Sequence, residues 1–593
     1  MQLKKILFAA ALPAMFMASC SNEADGPTPP DTPGFKADGY MAVKVNMPAQ
    51  PGSRAANDNF DDGTVNEYEV TDGALLLFTG SDEASAQFVA AYDLGMKDPV
   101  NDSDNDNITT SFLEAVKVQN VDVQGNLYAL VMLNYKDVAT VDANAPANLV
   151  VEGNAFAGTF TDFNALISGH AFHRGSGKSA EYFFMTNAPI ANKQGGLVSP
   201  AGLDVTTLTL LNENCLYPTE AEAKASPAGS VFVERAVAKA TLGVAATQAN
   251  VEGKVLKIES VEWALANTEN TSYVVRNLGD QSYNLFTSGK LSAPNYRFIG
   301  HTAIGTTAIQ PVTALYRTYW CVDPAYSVDK TYTEVAGSFV GTDVPLYCHE
   351  NTFTVANQNY KNTTRAVLKV KYEGGSFWTV NDRQDKIYDN FNDAKSFSDT
   401  FIYESQAVID AIKDAMNAGQ SVGIDWIKEN VEITYALDGN GIQKVTDIAF
   451  KAVTTGDVFK AQPTFRDGAK EALIAKTNEY YSIAEYTDGV SYYDLRFQHF
   501  GNDLTPWTAP TAGKTDNTSD SYPGLSAEDY LGRYGMVRNN WYDVSVNSFK
   551  RLGLPVIPNA NVETPDDNVN NELWLAFKVN ILSWAKRTQN QDF

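Results

Sequence analysis

Two stretches near opposite ends of the chain carry the same alternation of apolar and polar positions. In MAVKVNM, residues 41–47, Met41, Val43, Val45 and Met47 fall on one face, with Ala42, Lys44 and Asn46 on the other. In LAFKVNI, residues 575–581, Leu575, Phe577, Val579 and Ile581 share a face opposed by Ala576, Lys578 and Asn580, and Leu573 extends the apolar face upstream. Four of the seven positions are identical, and the other three are apolar in both. Strict period-two alternation predicts a half-buried β-strand in each case. Two such strands are either ordinary members of one sheet or two occupants of one groove.

Similar runs recur along the chain: GALLLFTG (73–80), NLYALVMLNY (126–135), VTTLTLL (205–211) and SVFVERAVAKATLGV (230–244). Short strands separated by turn residues are the spacing of β-sandwiches. The small, polar segment TEAEAKASPAGS (219–230) separates two strand-rich halves and sets the expected boundary between residues 228 and 229. Helical period enters only in the second half. SQAVIDAIKDAMNAGQ (405–420) places Val408, Ile409, Ile412 and Met416 on one face, with Gly419 ending the helix. GAKEALIAKTNEYYSIAEY (468–486) is a weaker helix candidate.

The first residues follow another pattern. Lys4 and Lys5 precede an apolar run from Ile6 to Met17, as in a secretory signal peptide too short to stay as a spanning helix. Ala18 and Ser19 before Cys20 resemble the bacterial lipoprotein cleavage box, which makes Cys20 the expected lipidation site. SNEADGPTPPDTPG then reads as an extended, Pro-rich, acidic tether. Arg54 is the first arginine of the chain, with none other before residue 174. It stands in AQPGSRAAND, a small, polar segment of the kind where proteolytic nicking concentrates. A simple linker charge is the other reading of Arg54.

Composition narrows the function classes. With 71 acids against 45 bases, the net charge of −26 disfavours nucleic acid and anionic lipid surfaces as partners. With Cys20 lipidated, Cys215, Cys321 and Cys348 remain, and proximity in sequence makes Cys321–Cys348 the expected disulfide of an exported chain. GSGKS (175–179) has Phe172 where a phosphate-binding loop needs its first glycine. DSDND (102–106) is followed by Asn107 and Leu113 where a calcium loop needs glycine and glutamate. His170 and His173 lack the ligand set of a zinc site. No nucleophile elbow, zincin motif or dinucleotide loop occurs, so no enzyme activity, metal or cofactor is expected.

VERAVAKATL (233–242), RTYWCVDPAY (317–326), YCHENTF (347–353), RYGMVRNNWYDVSVNSFKRLGLPVIP (533–558) and ELWLAFKVNILSWAKRTQ (572–589) follow one another behind the lipoprotein signal. In that order they resemble the type V fimbrial subunits of Bacteroidales, in particular the major, shaft-forming subunits of the short (minor) fimbria branch. The resemblance runs along most of the chain and is strongest from Val233 onward. It implies a mostly β fold of two transthyretin-like β-sandwich domains, to which the helical period adds a few helical insertions in the second. The implied divisions are a signal peptide and lipobox (1–20), a propeptide removed on maturation (21–54), an N-terminal sandwich (55–228) and a C-terminal sandwich with a donor strand (229–593).

The resemblance also implies a mechanism. GYMAVKVNMP would plug a groove of its own subunit until an Arg-specific, trypsin-like protease cuts between Arg54 and Ala55. The donor strand of a neighbouring copy, carrying Leu573, Leu575, Phe577, Val579 and Ile581, would then enter the groove. Implied partners are other copies in a linear polymer, accessory tip and anchor subunits, the protease, and host or bacterial surface ligands. The precursor would be an outer-membrane lipoprotein and the mature subunit part of a surface fimbrium. The alternatives are a non-polymerising surface lipoprotein adhesin and a tip or anchor subunit. A tip subunit is expected to lack the donor strand, and an anchor subunit to lack the cut.

Overall fold

The computed structural model describes residues 35–47, 63–64, 67, 69–94, 110–170, 182–191, 205–212, 216–251, 254–277, 303–304, 315–317, 338–352, 362–380, 383–499, 534–558 and 585–592. The first unit contains β1 (Phe35–Met47), β2 (Gly73–Gly80), β3 (Gln87–Asp93), β4 (Thr110–Val123), β5 (Asn126–Leu133), the short helix α1 (Phe160–Asn164), β6 (Met185–Asn187), the short helix α2 (Glu220–Ala225) and β7 (Gly229–Arg235). The strands lie in the order β3-β2-β5-β6-β7-β1-β4. Every pairing is antiparallel except that between β1 and β7.

The runs in β2 and β5 are apolar without a break because both of their faces are covered. Leu75, Leu77, Ala129 and Val131 point into a core to which all seven strands contribute. Leu76, Phe78, Leu130 and Met132 belong to a second core on the other face. There Phe78 meets Phe160 and Phe163 of α1 edge to face, at 5.8 and 5.9 Å between ring centroids, the arrangement aromatic quadrupoles favour. The end strands β3 and β4 approach each other, so the sheet folds over the first core as the two layers of a sandwich do.

The second unit contains β8 (Val237–Val244), β9 (Gln248–Val251), β10 (Lys254–Ala266), β11 (Leu346–His349), β12 (Arg365–Tyr372), β13 (Phe377–Val380), β14 (Arg383–Tyr388), α3 (Phe391–Tyr403), α4 (Gln406–Ala415), α5 (Ile424–Asn430), β15 (Val431–Leu437), β16 (Ile442–Phe450), α6 (Ala469–Tyr480), β17 (Ile483–Tyr486), β18 (Val490–Arg496), β19 (Asn540–Ser548) and β20 (Ala585–Asp592). Two sheets, β11-β8-β19-β20 and β9-β10-β12-β18, enclose one core. Ala240, Leu242, Val544 and Val546 come from the first and Trp263, Leu368, Val370 and Leu495 from the second. Between β12 and β18 the chain leaves the sandwich to form a third sheet, β14-β13-β17-β16-β15, with α3 to α6 packed around it. The expected mostly β fold with helical insertions in the second half is thus observed.

Local pattern left several elements unread or bounded differently. Strand β7, which follows the polar segment, lies in the first sheet, and its Val231 and Val233 lie in the first core. The polar segment before it forms α2, closed by a capping box in which Thr219 and Glu222 satisfy each other's backbone N–H groups. Helix α4 begins one residue after its N-cap Ser405 and ends at Ala415, short of Gly419. Helix α3 went unread because its inward stripe of Ala394, Ser398 and Ile402 is mostly small or polar, which gives little hydrophobic period.

The two sandwiches meet across buried charges carried by the VERAVAK stretch. Arg235 donates from Nε to the Glu67 carbonyl at 2.6 Å and from Nη1 to Asn539 Oδ1 at 3.0 Å. Lys239 Nζ lies 2.6 Å from Glu67 Oε1 and 3.8 Å from the centre of the Trp541 ring. Glu234 receives Arg276, and Glu350 receives Arg538, which also donates to the Tyr273 carbonyl at 2.7 Å. Burial pushes the Glu234 carboxyl up to about 7, against the pull of Arg276 and Arg538. Both partners of the Arg538–Glu350 pair are fully buried. Replacing Arg538 with alanine is therefore expected to destabilise the chain by about 3–5 kcal/mol, since it strands a desolvated carboxylate. Denaturant unfolding of the purified precursor checks this; a loss under about 1 kcal/mol, the scale of an exposed pair, would contradict it.

Candidate functional site

Strand β1 is an inner strand, not an edge strand. On one side it runs antiparallel to β4 along its whole length, from Phe35 opposite Val123 to Met47 opposite Thr110. On the other it runs parallel to β7, from Val43 opposite Gly229 to Asn46 opposite Phe232. Ahead of β7, Tyr40 and Tyr217 exchange backbone hydrogen bonds of 2.7 and 2.8 Å, and the Ala228 N–H donates to the Ala42 carbonyl at 2.7 Å. β1 therefore fills a slot with hydrogen-bonding walls on both sides. Among the described strands, β4 has no sheet partner other than β1.

The floor of the slot is the first core. Met41, Val43 and Val45 are 0–1% exposed and pack with Phe112, Val116, Val231 and Val233. Burying side chains of this kind is worth roughly 1.5–3 kcal/mol each relative to water. The opposite face is graded: Tyr40 and Lys44 are half-buried, whereas Ala42 is fully buried. Gly39 sits beside a bulge at φ 152°, and a Cβ there would lie 3.1 Å from the Tyr217 carbonyl oxygen. This is a position that requires glycine. Helix α2 lies against β1 and β4 and places Lys224 Nζ 3.7 Å from Glu114 of β4.

Met41, Val43 and Val45, the residues expected to form the plug, are brought together on one core face, and Met47 continues the strand by backbone pairing with Thr110. Cys20, Arg54 and Ala55 lie outside the described residues, as do Leu573, Leu575, Phe577, Val579 and Ile581. Immediately beyond that second phrase, β20 pairs parallel with β19, from Ala585 opposite Asn540 onward. Cys348 is buried in β11 with its Sγ 3.5 Å from Met536 Sδ, and Cys321 lies outside the described residues. His170 faces Glu152 at 3.1 Å on the surface, and His173, GSGKS and DSDND lie outside the described residues. The sequence reading missed the buried charges Glu67, Glu234, Arg235, Lys239, Glu350 and Arg538. The signal for three of them was available: Glu234, Arg235 and Lys239 interrupt an otherwise apolar double strand.

A family model described as "Major fimbrial subunit protein type IV, Fimbrillin, C-terminal" matches residues 484–590. No curated protein matches the chain. Among solved structures, the chain is similar to a fimbrilin (fimA) from Porphyromonas gingivalis W83, at 11% identity over 93% of this chain and 97% of that one, with a TM-score of 0.32. It is also similar to the tip fimbrial protein Mfa3 from Porphyromonas gingivalis, at 12% identity over 57% and 79% of the two chains and a TM-score of 0.22. A fimbrial assembly protein from Parabacteroides distasonis ATCC 8503 matches at 11% identity over 57% and 100%, with a TM-score of 0.23.

Proposed function

We propose that this chain, whose residues 484–590 match the fimbrillin C-terminal model, is a structural shaft subunit of a cell-surface fimbrium. It is exported as a lipoprotein on Cys20 and activated by an Arg-specific protease cutting between Arg54 and Ala55. It polymerises when residues 573–581 of one copy enter the slot that β1 leaves in the next. Its partners are other copies of itself, accessory tip and anchor subunits, the protease, and surface ligands bound by the finished fibre.

The observation that carries the reading is the placement of β1. A strand seated between two walls and buried in a core stands only a few residues before the chain's first arginine. A phrase with four of the same seven residues and the same alternation stands near the other end. A strand that belonged permanently to the fold would need neither feature. Strand addition of this kind takes affinity from backbone pairing and specificity from alternate side chains.

Intact-mass measurement of the protein taken from the cell surface tests the reading. The expected species begins at Ala55 and carries no lipid, with Cys20 and the plug strand lost together. A lipidated species that still contains β1 would overturn it in favour of a surface lipoprotein adhesin.

A further inference from the structure

The apolar face of a donor strand cannot by itself fix where the strand stops. A slip by one residue turns the apolar side chains outward, but a slip by two restores them. The outer face of β1 removes this degeneracy. Between positions 40–47 and 574–581 the inner face shares one identity in four: Met41/Leu575, Val43/Phe577, Val45/Val579 and Met47/Ile581. The outer face shares three in four, as Tyr40/Trp574, Ala42/Ala576, Lys44/Lys578 and Asn46/Asn580, with an aromatic ring at the fourth. A strand matched only to an apolar floor would show the reverse.

We propose that the groove reads both faces of the incoming strand and admits it in one register and one polarity, with Ala576 in the Ala42 seat. This rests on the donor-strand reading above and adds to it the residue that sets the register. The Ala42 seat is the closed one: its side chain is fully buried on the face away from the core, between half-buried Tyr40 and Lys44. A slip by two residues puts Trp574 or Lys578 into that seat, and a reversed strand puts Asn580 there. All three are larger than alanine, and protein interiors do not absorb added volume without displacing neighbours. The donor runs as β1 does, antiparallel to β4 and parallel to β7. The equivalence ends at Trp574. The next seat upstream is that of Gly39, where a Cβ would lie 3.1 Å from the Tyr217 carbonyl oxygen, so Leu573 enters there only by pushing that carbonyl aside.

Cysteine cross-linking reads the register directly, because Ala42 stands opposite Ala115 in β4 and side chains of directly opposed residues are close enough to bridge. In the uncut precursor, Ala42→Cys with Ala115→Cys provides the intrachain reference bridge. Fibres of a chain carrying Ala115→Cys and Ala576→Cys are expected to run as disulfide-linked ladders on a non-reducing gel. Ala115→Cys combined with Trp574→Cys, Lys578→Cys or Asn580→Cys is expected to give at least tenfold less bridge, located by peptide mass mapping. As a second measurement, Ala576→Leu should lower fibre yield at least tenfold and Lys578→Leu should not. A dominant bridge at Trp574→Cys or Lys578→Cys, or at Asn580→Cys, overturns the register or the polarity while leaving the donor-strand reading intact. So does normal fibre yield from Ala576→Leu. Fibres without a bridge in any of the four pairings overturn both.

Discussion

Replacing Arg54 with alanine is expected to leave a folded, lipid-anchored monomer and to abolish fibres. The reason is competition for one slot. β1 buries Met41, Val43 and Val45 and pairs on both sides, and it is covalently tied to the groove it fills. A tether of this kind holds its strand at an effective concentration of about millimolar or more. A donor of equal intrinsic quality arriving from dilute solution loses to it by that factor. Cutting after Arg54 removes the tether, so exchange becomes a contest between two free strands. The same cut parts the subunit from Cys20. Lys36 and Lys44, the other basic residues near the site, lie within β1, where the paired backbone is closed to a protease. Electron microscopy of cells carrying Arg54→Ala checks the expectation. Fibres at normal abundance would place the activating cut elsewhere.

Changing Phe577 and Val579 together to aspartate should stop donation without stopping acceptance. Their counterparts in β1, Val43 and Val45, are 1% and 0% exposed, so each aspartate would have to enter a dry core. A buried carboxylate without a partner costs several kcal/mol, more than one apolar side chain of the donor returns. The altered chain keeps its own slot, plug and Arg54. It should therefore fold, be cut and receive a wild-type donor, and then end the fibre. Mixed with wild-type subunits it should shorten fibres in proportion to its fraction. Unchanged fibre lengths at equal mixing would mean that the C-terminal phrase is not the donor.

Much of this architecture was legible in local pattern. β2 and β5 follow the apolar runs because a strand buried on both faces needs nothing but apolar side chains. The face of β1 that meets the core is the face its alternation predicts. The partners of β1 were not legible, because register and neighbour depend on residues far along the chain: Val123 to Thr110 on one side and Gly229 to Phe232 on the other. The special demand of the Ala42 seat was hidden for a related reason. Alternation labels that position as outward, and only the packed structure distinguishes outward from open. The charges at the junction were misjudged because composition treats every acid and base as surface, whereas Glu234, Arg235 and Lys239 are held inside by one another's neighbours.

The joint at Ala236 bears on what happens when a fibre is pulled. β7, which walls the slot, passes into β8 through that one residue, and β8 lies in register beside β19, which lies in register beside β20. In a fibre built as proposed, tension entering through a neighbour's strand in the slot would pass into β8, cross its pairing with β19 and leave by the end of β19, which leads on to residues 573–581 that grip the next copy. The pairing of β8 with β19 is parallel, so a pull on the start of β8 against one on the end of β19 acts as shear, which strains all the hydrogen bonds of the pairing at once instead of peeling them singly. A swivel between the two sandwiches would turn the same pull into bending. Lys239, paired with Glu67 across the joint, and Arg235, bonded to Asn539 across it, oppose that swivel and stiffen the link between the sandwiches.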